Sequence, residues 1–287
     1  MIVWQEYYRP QTLQEALSIL SRYPGRTRVI AGGTDLLLEL KNASKKADYL
    51  VDIRDIEGMT KIEESGGGLL IGACVTHSQL AANSLVRKRA AALAEGAAMV
   101  GSVQIRNIGT VGGNIVNARP AADTAIPLVA LRAFAEMVDA DGTKRMTAVE
   151  DLFEGPGRSK VDSTKTIITG FFFPVIPSVL SAFDRISRRR SLSLPMLNLA
   201  VVLQRENDVV KNIRIAAGPI APTPQRLTSV EAMLEGQTIG PGILDQAARV
   251  ASECAQPRDS VLRGPRTYRK EMLGIMLRRT LTRIWNT

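Results

Sequence analysis

The chain has 287 residues, of which 45% are hydrophobic, and a formal net charge of +9 at pH 7. A chain of this length can bury a substantial core, which we expect to be divided into two or three lobes. No apolar run approaches the roughly twenty residues that a transmembrane helix needs, so we expect no membrane span. The opening MIVWQEYYRP lacks the features of a secretory signal, and we therefore expect a cytoplasmic protein.

Cysteine and histidine are scarce, which limits the metal chemistry of this chain. It has two cysteines, Cys74 and Cys254, and one histidine, His77. These residues are too few for a four-cysteine iron–sulfur cluster or a zinc-finger site, so we predict no metal site here. We interpret Cys74 as a buried, inert thiol and His77 as a capping or packing residue.

Two basic clusters, at 188–190 and 278–283, raise the question of a nucleic-acid partner. Clustered arginines attract phosphate backbones without sequence preference. Aromatic residues make up only 5% of the chain, however, and they do not interleave with these clusters. A solvated face or a subunit contact is the favoured interpretation, and we expect no nucleic acid to be bound.

The first glycine-rich turn follows a predicted strand in residues 1–55. Hydrophobic patterning there predicts a helix at 12–23, a strand at 28–31, a helix at 36–42 and a strand at 49–53. Gly32 and Gly33 end the first strand, and Thr34 and Asp35 are typical residues for opening the next helix. Glycine lets a ligand approach the main chain closely. Amide groups gathered at a helix start favour an anion, usually a phosphate.

A second glycine-rich loop, GTVGGN (109–114), lies in residues 56–176. Short strands and helices alternate in this part, with strands predicted at 68–71, 134–139 and 165–173 and helices at 78–83, 87–98 and 123–131. Thr110 and Asn114 can donate side-chain hydrogen bonds to a ligand. Asp123 can accept them from ligand hydroxyl groups, such as those of a sugar alcohol.

Either glycine turn alone is typical of an ordinary turn. Neither the dinucleotide pattern GxGxxG nor the phosphate-binding pattern GxxxxGK[ST] occurs in the chain, so a Rossmann or P-loop site is disfavoured. Taken together, the two turns are interpreted as two separate amide cradles for one diphosphate. Residues 177–287 complete the chain, with strands predicted at 198–205 and 209–217 and helices at 230–234, 243–254 and 267–283.

Five segments of the chain share the motifs of one known family. They are AGGTDLL (31–37), QIRNIGTVGGNIVNARPAAD (104–123), AFDRISRRR (182–190), GPIAPTPQR (218–226) and DSVLRGPRTYRKEML (259–273). In these segments the chain resembles the FAD-binding (medium) subunit of the xanthine dehydrogenase and carbon monoxide dehydrogenase family of molybdenum hydroxylases. Arg185 stands where many members have a lysine near the flavin, so no role is carried over for that lysine.

The resemblance implies a mixed α+β and α/β fold. A two-lobed FAD-binding domain of the vanillyl-alcohol oxidase (PCMH) type, with lobes at 1–55 and 56–176, would precede a C-terminal α/β domain of the CO dehydrogenase flavoprotein type at 177–287. FAD would lie between the two lobes. The resemblance assigns no catalytic residue to this chain. The residues that it assigns to cofactor binding are Val29, Ile30, Ala31, Gly32, Gly33, Thr34, Asp35, Leu36, Val100, Gly101, Thr110, Val111, Gly112, Gly113, Asn114, Ile115, Asp123 and Ile168.

The resemblance also implies an oxidoreductase that works with partner chains. In the family a large subunit oxidises the substrate at molybdopterin, and a small subunit carries electrons through [2Fe-2S] clusters to the FAD subunit. The flavin then reduces an acceptor such as NAD, quinone or ferredoxin, and the complex is commonly a dimer of heterotrimers. Two alternatives stay open. A free-standing FAD-dependent oxidoreductase of the same fold predicts activity without partners, and a basic nucleic-acid-binding protein predicts a colourless preparation.

Overall fold

The computed structural model describes residues 4–189 and 192–287, and the first sheet of the chain is small and wholly parallel. Its strands, in the spatial order β1-β3-β2, are β1 (Glu6–Tyr8), β2 (Thr27–Ile30) and β3 (Tyr49–Asp52). Two helices accompany it, α1 (Leu13–Arg22) and α2 (Leu36–Lys41). Helix α1 begins where Thr12 accepts a hydrogen bond from the Glu15 N–H, and it buries Ala16, Leu17 and Leu20 at helical spacing.

A five-stranded antiparallel sheet forms the middle of the chain. Its strands, in the order β4-β5-β10-β6-β7, are β4 (Ile62–Ser65), β5 (Gly68–Gly72), β6 (Phe134–Asp139), β7 (Lys144–Ala148) and β10 (Thr166–Pro174). A short hairpin of β8 (Phe153–Gly155) and β9 (Arg158–Ser159) follows the 3-10 turn at Val149–Leu152. Strand β10 is central and buries Ile167, Ile168, Phe171 and Phe173, which explains its nearly continuous apolar sequence.

Six helices lie between β5 and β6. They are α3 (His77–Ala82), α4 (Ser84–Arg89), α5 (Ala91–Ala98), α6 (Val103–Ile108), α7 (Val111–Val116) and α8 (Ala125–Ala130). The single helix predicted at 87–98 is wrong, because Ala90 leaves the helical region (φ −150°, ψ 56°) and separates α4 from α5. Helices α6 and α7 were not predicted. Each is only six residues long and depends on a polar cap, Ser102 for α6 and Thr110 for α7.

The last region packs helices against an antiparallel sheet. Its strands, in chain and spatial order, are β11 (Val179–Ser187), β12 (Pro195–Glu206), β13 (Val209–Gly218) and β14 (Gln225–Arg226). Its helices are α9 (Thr228–Leu234), α10 (Pro241–Cys254) and α11 (Arg266–Trp285). A separate apolar core lies between this sheet and these helices and includes Leu199, Val201, Ile215, Leu273 and Leu277.

The largest apolar core joins all three sheets. It combines side chains around the first and middle sheets with Phe183, Ala200, Val202 and Ala216 of the third. The lobe boundaries at residues 55 and 176 therefore stay a prediction. Residues 1–3 of the first lobe and Arg190 of the motif at 182–190 lie outside the described residues. Over 4–189 and 192–287, none of the helices combines the length and apolar character needed to cross a membrane.

Candidate functional site

A cleft between the first and middle sheets gathers most of the residues that the sequence assigned to cofactor binding. Its volume is about 1000 Å³ when the open space at its mouth is included. Fourteen of the eighteen assigned residues line it: Val29, Ile30, Ala31, Gly32, Gly33, Thr34, Asp35, Leu36, Val100, Thr110, Gly112, Gly113, Asn114 and Ile168.

The turn between β2 and α2 presents unused backbone donors to this cleft. Within the described residues, the N–H groups of residues 31–35 donate to no protein acceptor. Helix α2 starts immediately afterwards, with the Leu37 N–H donating to the Gly33 oxygen at 3.1 Å and the Glu39 N–H to the Asp35 oxygen at 3.0 Å. A run of free amides ahead of a helix is a site for an anionic group. The first amide cradle is therefore present in the structure.

Two glycines make this turn possible for different reasons. Gly33 has φ +67°, a conformation that favours glycine. Gly32 touches the second glycine loop, because a Cβ at Gly32 would overlap the Ile108 carbonyl oxygen and lie 2.9 Å from the Gly109 Cα. The two loops therefore meet backbone to backbone at one end of the cleft.

The second glycine loop differs from the amide cradle that the sequence predicted. Its N–H groups are already used by the protein: Val111 donates to the Val75 oxygen at 3.0 Å and Gly112 to the Ala73 oxygen at 2.9 Å. Gly113 donates to the Thr110 hydroxyl at 3.1 Å as part of the α7 cap. The prediction of a second amide cradle over 111–113 is wrong, because α7 begins there. The N–H groups of its first turn donate to the Thr110 cap and to backbone oxygens of the segment after β5.

Asn114 is the polar side chain that α7 contributes to the cleft. Its Oδ1 accepts a hydrogen bond from the Thr124 hydroxyl at 2.8 Å, which fixes the amide and leaves its N–H groups as donors. Val100, Ile105 and Ile168 add apolar side chains to the lining. The cleft thus has a polar end at the first loop and an apolar part formed by the segments before α7 and by β10.

Four of the assigned residues do not line the cleft. Val111 and Ile115 are fully buried in the main core, since they form the inner face of α7. Gly101 has φ +47° and packs against the Ile105 side chain. Their assignment to cofactor binding stays a prediction. The fourth residue, Asp123, belongs to a separate buried cluster.

Asp123 is held by polar side chains from the third sheet. Its Oδ2 lies 2.7 Å from an Arg185 nitrogen and its Oδ1 accepts from the Asn198 amide at 3.1 Å. Arg185 also donates to the Met99 oxygen at 2.6 Å. Burial raises the pKa of Asp123 to about 7, although Arg185 and Asn198 act in the opposite direction. Through these two contacts the carboxylate connects β11 and β12 to the segment that leads into α8.

Eleven cleft residues were not assigned from the sequence. They are Glu39, Lys45, Ile53, Ala73, His77, Ile105, Gly109, Val116, Asn117, Ser163 and Thr166. Glu39 and Lys45 form an ion pair in the lining of the cleft, with the Lys45 Nζ 2.7 Å from the Glu39 Oε2. Four of the eleven, Ile105, Gly109, Val116 and Asn117, belong to the motif at 104–123, whereas the others come from segments that no local motif marks and that reach the cleft through packing.

His77 and Cys74 have the buried positions expected of packing residues. The cap of α3 is Thr76, which exchanges hydrogen bonds with Gln79, so the capping interpretation of His77 is wrong. His77 is 2% exposed and its Nδ1 has no partner within the described residues. Burial, and then the charge of Arg106, lower the pKa of His77 to about 4. Burial raises the pKa of Cys74 to about 12, as expected of an inert thiol.

Two family descriptions cover nearly the whole chain. The FAD binding domain in molybdopterin dehydrogenase matches residues 4–176, and the CO dehydrogenase flavoprotein C-terminal domain matches residues 182–284. The chain therefore belongs to the family of FAD-binding domains of molybdopterin dehydrogenases. It is an FAD-binding oxidoreductase subunit of the molybdenum hydroxylase class, and the predicted family, fold class and cofactor are confirmed.

Named relatives agree with this assignment over their full lengths. The chain is 28% identical to the glyceraldehyde dehydrogenase medium chain of Sulfolobus acidocaldarius, covering 94% of each. It is also 28% identical to a xanthine dehydrogenase FAD-binding subunit of Escherichia coli, covering 98% of this chain and 96% of the relative. A chain in the crystal structure of the cyanide-inactivated Cu,Mo-CO dehydrogenase superposes with a TM-score of 0.91 at 28% identity, covering 100% of this chain and 99% of that one.

Proposed function

We propose that this chain is the FAD-carrying electron-transfer subunit of a heteromeric molybdenum hydroxylase. It would take electrons from the [2Fe-2S] clusters of a small partner subunit, after a large molybdopterin subunit has oxidised the substrate. It would then pass them to an external acceptor such as NAD, quinone or ferredoxin. The observation that carries the proposal is the cleft in which a run of free amides faces an apolar wall.

The residues of the cleft fit the parts of FAD. The free N–H groups of residues 31–35 suit the diphosphate, since these donors have no protein acceptor. The Asn114 amide, fixed by Thr124, can donate to a sugar hydroxyl or a phosphate oxygen. Val100 and Ile168 offer an apolar surface for a ring. FAD itself supplies the chemistry, because it accepts electrons singly and releases them in pairs.

The titratable groups of the cleft favour binding over acid–base catalysis. Lys45 and Glu39 neutralise each other at 2.7 Å. His77 is neutral at pH 7 because burial lowers its pKa to about 4. We therefore assign the chain the tasks of binding and orienting the cofactor and assign the substrate chemistry to the large subunit.

An apolar surface beside the cleft offers a contact area for the small subunit. Leu37 and Leu38 of α2 are 39% and 59% exposed, and Val103 and Ile108 of α6 are 57% and 48% exposed. The turn that precedes α2 touches the end of α6, where Gly32 meets the Ile108 oxygen. Exposed apolar side chains on neighbouring segments are typical of protein contacts. We call these four residues the rim surface and propose that the iron–sulfur subunit covers it.

Rapid-mixing reduction of the flavin tests this assignment. The isolated FAD-loaded chain should remain oxidised when it is mixed with candidate substrates of molybdenum hydroxylases. After assembly with its iron–sulfur and molybdenum partners, the same substrate should bleach the flavin absorbance in a single turnover. Catalytic turnover by the isolated chain would instead favour a free-standing flavin oxidoreductase. A flavin that stays oxidised in the complete, active complex would contradict the proposal.

A further inference from the structure

A second cavity lies where two sequence motifs with no part in the cofactor cleft come together. Its volume is about 810 Å³ when the open space at its mouth is included. The motif at 218–226 contributes Pro219, Ala221 and Pro222, and the motif at 259–273 contributes Asp259, Ser260, Arg263 and Arg269. Residues 119–120 and Pro156 close it from the middle region of the chain. It shares no lining residue with the cofactor cleft.

The lining of this cavity carries an excess of positive charge. Four arginines, Arg119, Arg258, Arg263 and Arg269, face a single carboxylate, Asp259. That carboxylate accepts a hydrogen bond from the backbone N–H of Arg266 at 2.8 Å. None of the four arginines forms an ion pair with a carboxylate in the part of the chain that the structure describes. The lining therefore carries a formal charge of about +3.

Two of these arginines are withdrawn from solvent without full hydrogen bonding. Arg269 is 3% exposed and donates to the backbone oxygens of Pro219, at 2.9 Å, and Arg258. Its Nε is buried and has no acceptor within the described residues, and the same is true of the Arg263 Nε. Burial, followed by the charge of Arg119, lowers the pKa of Arg263. Burial and then the charge of Arg263 lower the pKa of Arg269.

Placing guanidinium groups beside one another without a carboxylate partner is costly, because each loses hydration and repels its neighbours. The cost is removed when an anion occupies the space between them. Guanidinium donors match the oxygens of phosphate and carboxylate groups. The excess charge of the lining favours a doubly charged oxyanion over a single carboxylate. We propose that this cavity binds a free oxyanion of the phosphate class, in contact with Arg263, Arg269 and Arg119.

The proposal is tested by phosphate binding to the full chain saturated with FAD, so that the cofactor cleft is already filled. Sodium phosphate is titrated calorimetrically against sodium chloride of equal ionic strength. The wild-type chain should bind one phosphate, and R263Q should raise the dissociation constant at least tenfold. R119Q, at an exposed arginine of the same cavity, should weaken binding without affecting folding. R249Q, an exposed arginine on α10 outside the cavity, is the matched control and should bind as wild type.

Thermal unfolding separates a binding site from a structural arginine. In chloride, R263Q should unfold at the same temperature as wild type or higher, because a partly buried charge without a carboxylate partner has been removed. Phosphate should raise the unfolding temperature of wild type and leave that of R263Q unchanged. Failure of the FAD-saturated wild type to bind phosphate would overturn the proposal. Equal phosphate affinity in wild type, R263Q and R119Q would overturn it as well.

Discussion

At the scale of single residues, the glycines of the cleft serve different purposes. Gly33 allows a positive φ, and Gly32 allows two loops to touch. Gly112 lies against the segment that follows β5, since a Cβ at Gly112 would be 2.8 Å from the Ala73 oxygen. Substitutions at these three positions would disturb the fold together with the cofactor site. Gly113 is different, because a Cβ there would meet only the Thr110 hydroxyl, at 3.1 Å.

Gly113→Val is therefore the cleanest test of the second loop. The new side chain would project into the cleft and should raise the FAD dissociation constant at least tenfold, a change of about 1.4 kcal/mol. Gly242→Val is the matched control, since Gly242 lies in the first turn of α10 with no atom near its Cβ position. Both variants should unfold at similar temperatures. Equal FAD affinity in the two variants, measured by fluorescence titration, would remove Gly113 from the site.

His77 should make the stability of the chain depend on acid pH. Its pKa is about 4 in the folded chain and about 6.5 when unfolded, so the unfolded chain binds the proton first as pH falls. The stability is fully present above pH 6.5 and is lost as pH falls towards 4. Between pH 7 and 5 the loss due to His77 is about 2 kcal/mol.

His77→Gln tests this dependence, because the amide does not titrate. Unfolding free energies from denaturant titrations at pH 7 and pH 5 are compared for wild type and variant. Wild type should lose about 2 kcal/mol more than the variant over this interval. Identical pH dependence would show that His77 is not a buried neutral group in the folded chain.

At the scale of elements, the two glycine loops show what the sequence could predict. Strand β6 was predicted with its observed bounds, and the first loop was predicted as an amide cradle before a helix, because the signals for both are local. The amides of the second loop were predicted to be free, yet Val75 and Ala73 accept two of their hydrogen bonds. Those acceptors come from a segment far away in sequence. No local pattern reveals such a partner.

Strand β11 shows a second limit of local patterns. Its residues include Asp184 and Arg185, and no strand was predicted there. Asp184 contacts Arg279 of α11 at 2.5 Å, and Arg185 contacts Asp123 at 2.7 Å. Charged residues on a strand are accommodated here because each meets an opposite charge from another element. The pairing partners, rather than the strand's own sequence, explain why the strand forms.

The Arg185–Asp123 pair should be important for stability. Arg185→Met would remove the cation beside Asp123 and its hydrogen bond, so the pKa of Asp123 should rise above 7 and the buried acid should be protonated at pH 7, at a cost of roughly 1–3 kcal/mol in unfolding free energy. Combining it with Asp123→Asn removes the titrating group, so the double variant should be more stable at pH 7 than Arg185→Met alone. Denaturant titrations of wild type, the two single variants and the double variant give the coupling free energy between Arg185 and Asp123. Additive effects would show that the pair contributes no coupling.

At the scale of the whole molecule, one apolar core joins the three sheets, and the cofactor cleft opens beside the rim surface of α2 and α6. A subunit that delivers electrons must approach the flavin closely. The position of the rim surface beside the cleft satisfies this requirement. The third sheet is connected to the segment before α8 through the hydrogen bond between Asn198 and Asp123.

Leu38→Asp should separate partner binding from cofactor binding. A charge on the rim surface would be desolvated in the complex, so affinity for the small subunit should fall at least tenfold while FAD is retained. Ile275→Asp on α11, where Ile275 is 54% exposed, is the control and should assemble as wild type. Analytical ultracentrifugation with the small subunit measures the assembly of both variants. Normal assembly of Leu38→Asp would place the contact elsewhere.

The visible spectrum of the purified chain, followed by chromatography of the cofactor released on denaturation, tests the central claim most directly. The cleft with free amides at 31–35 predicts a yellow protein that releases one FAD per chain and no FMN. Gly113→Val should lose that FAD under the same conditions, whereas Gly242→Val should keep it. A colourless chain that also fails to take up added FAD would contradict the account.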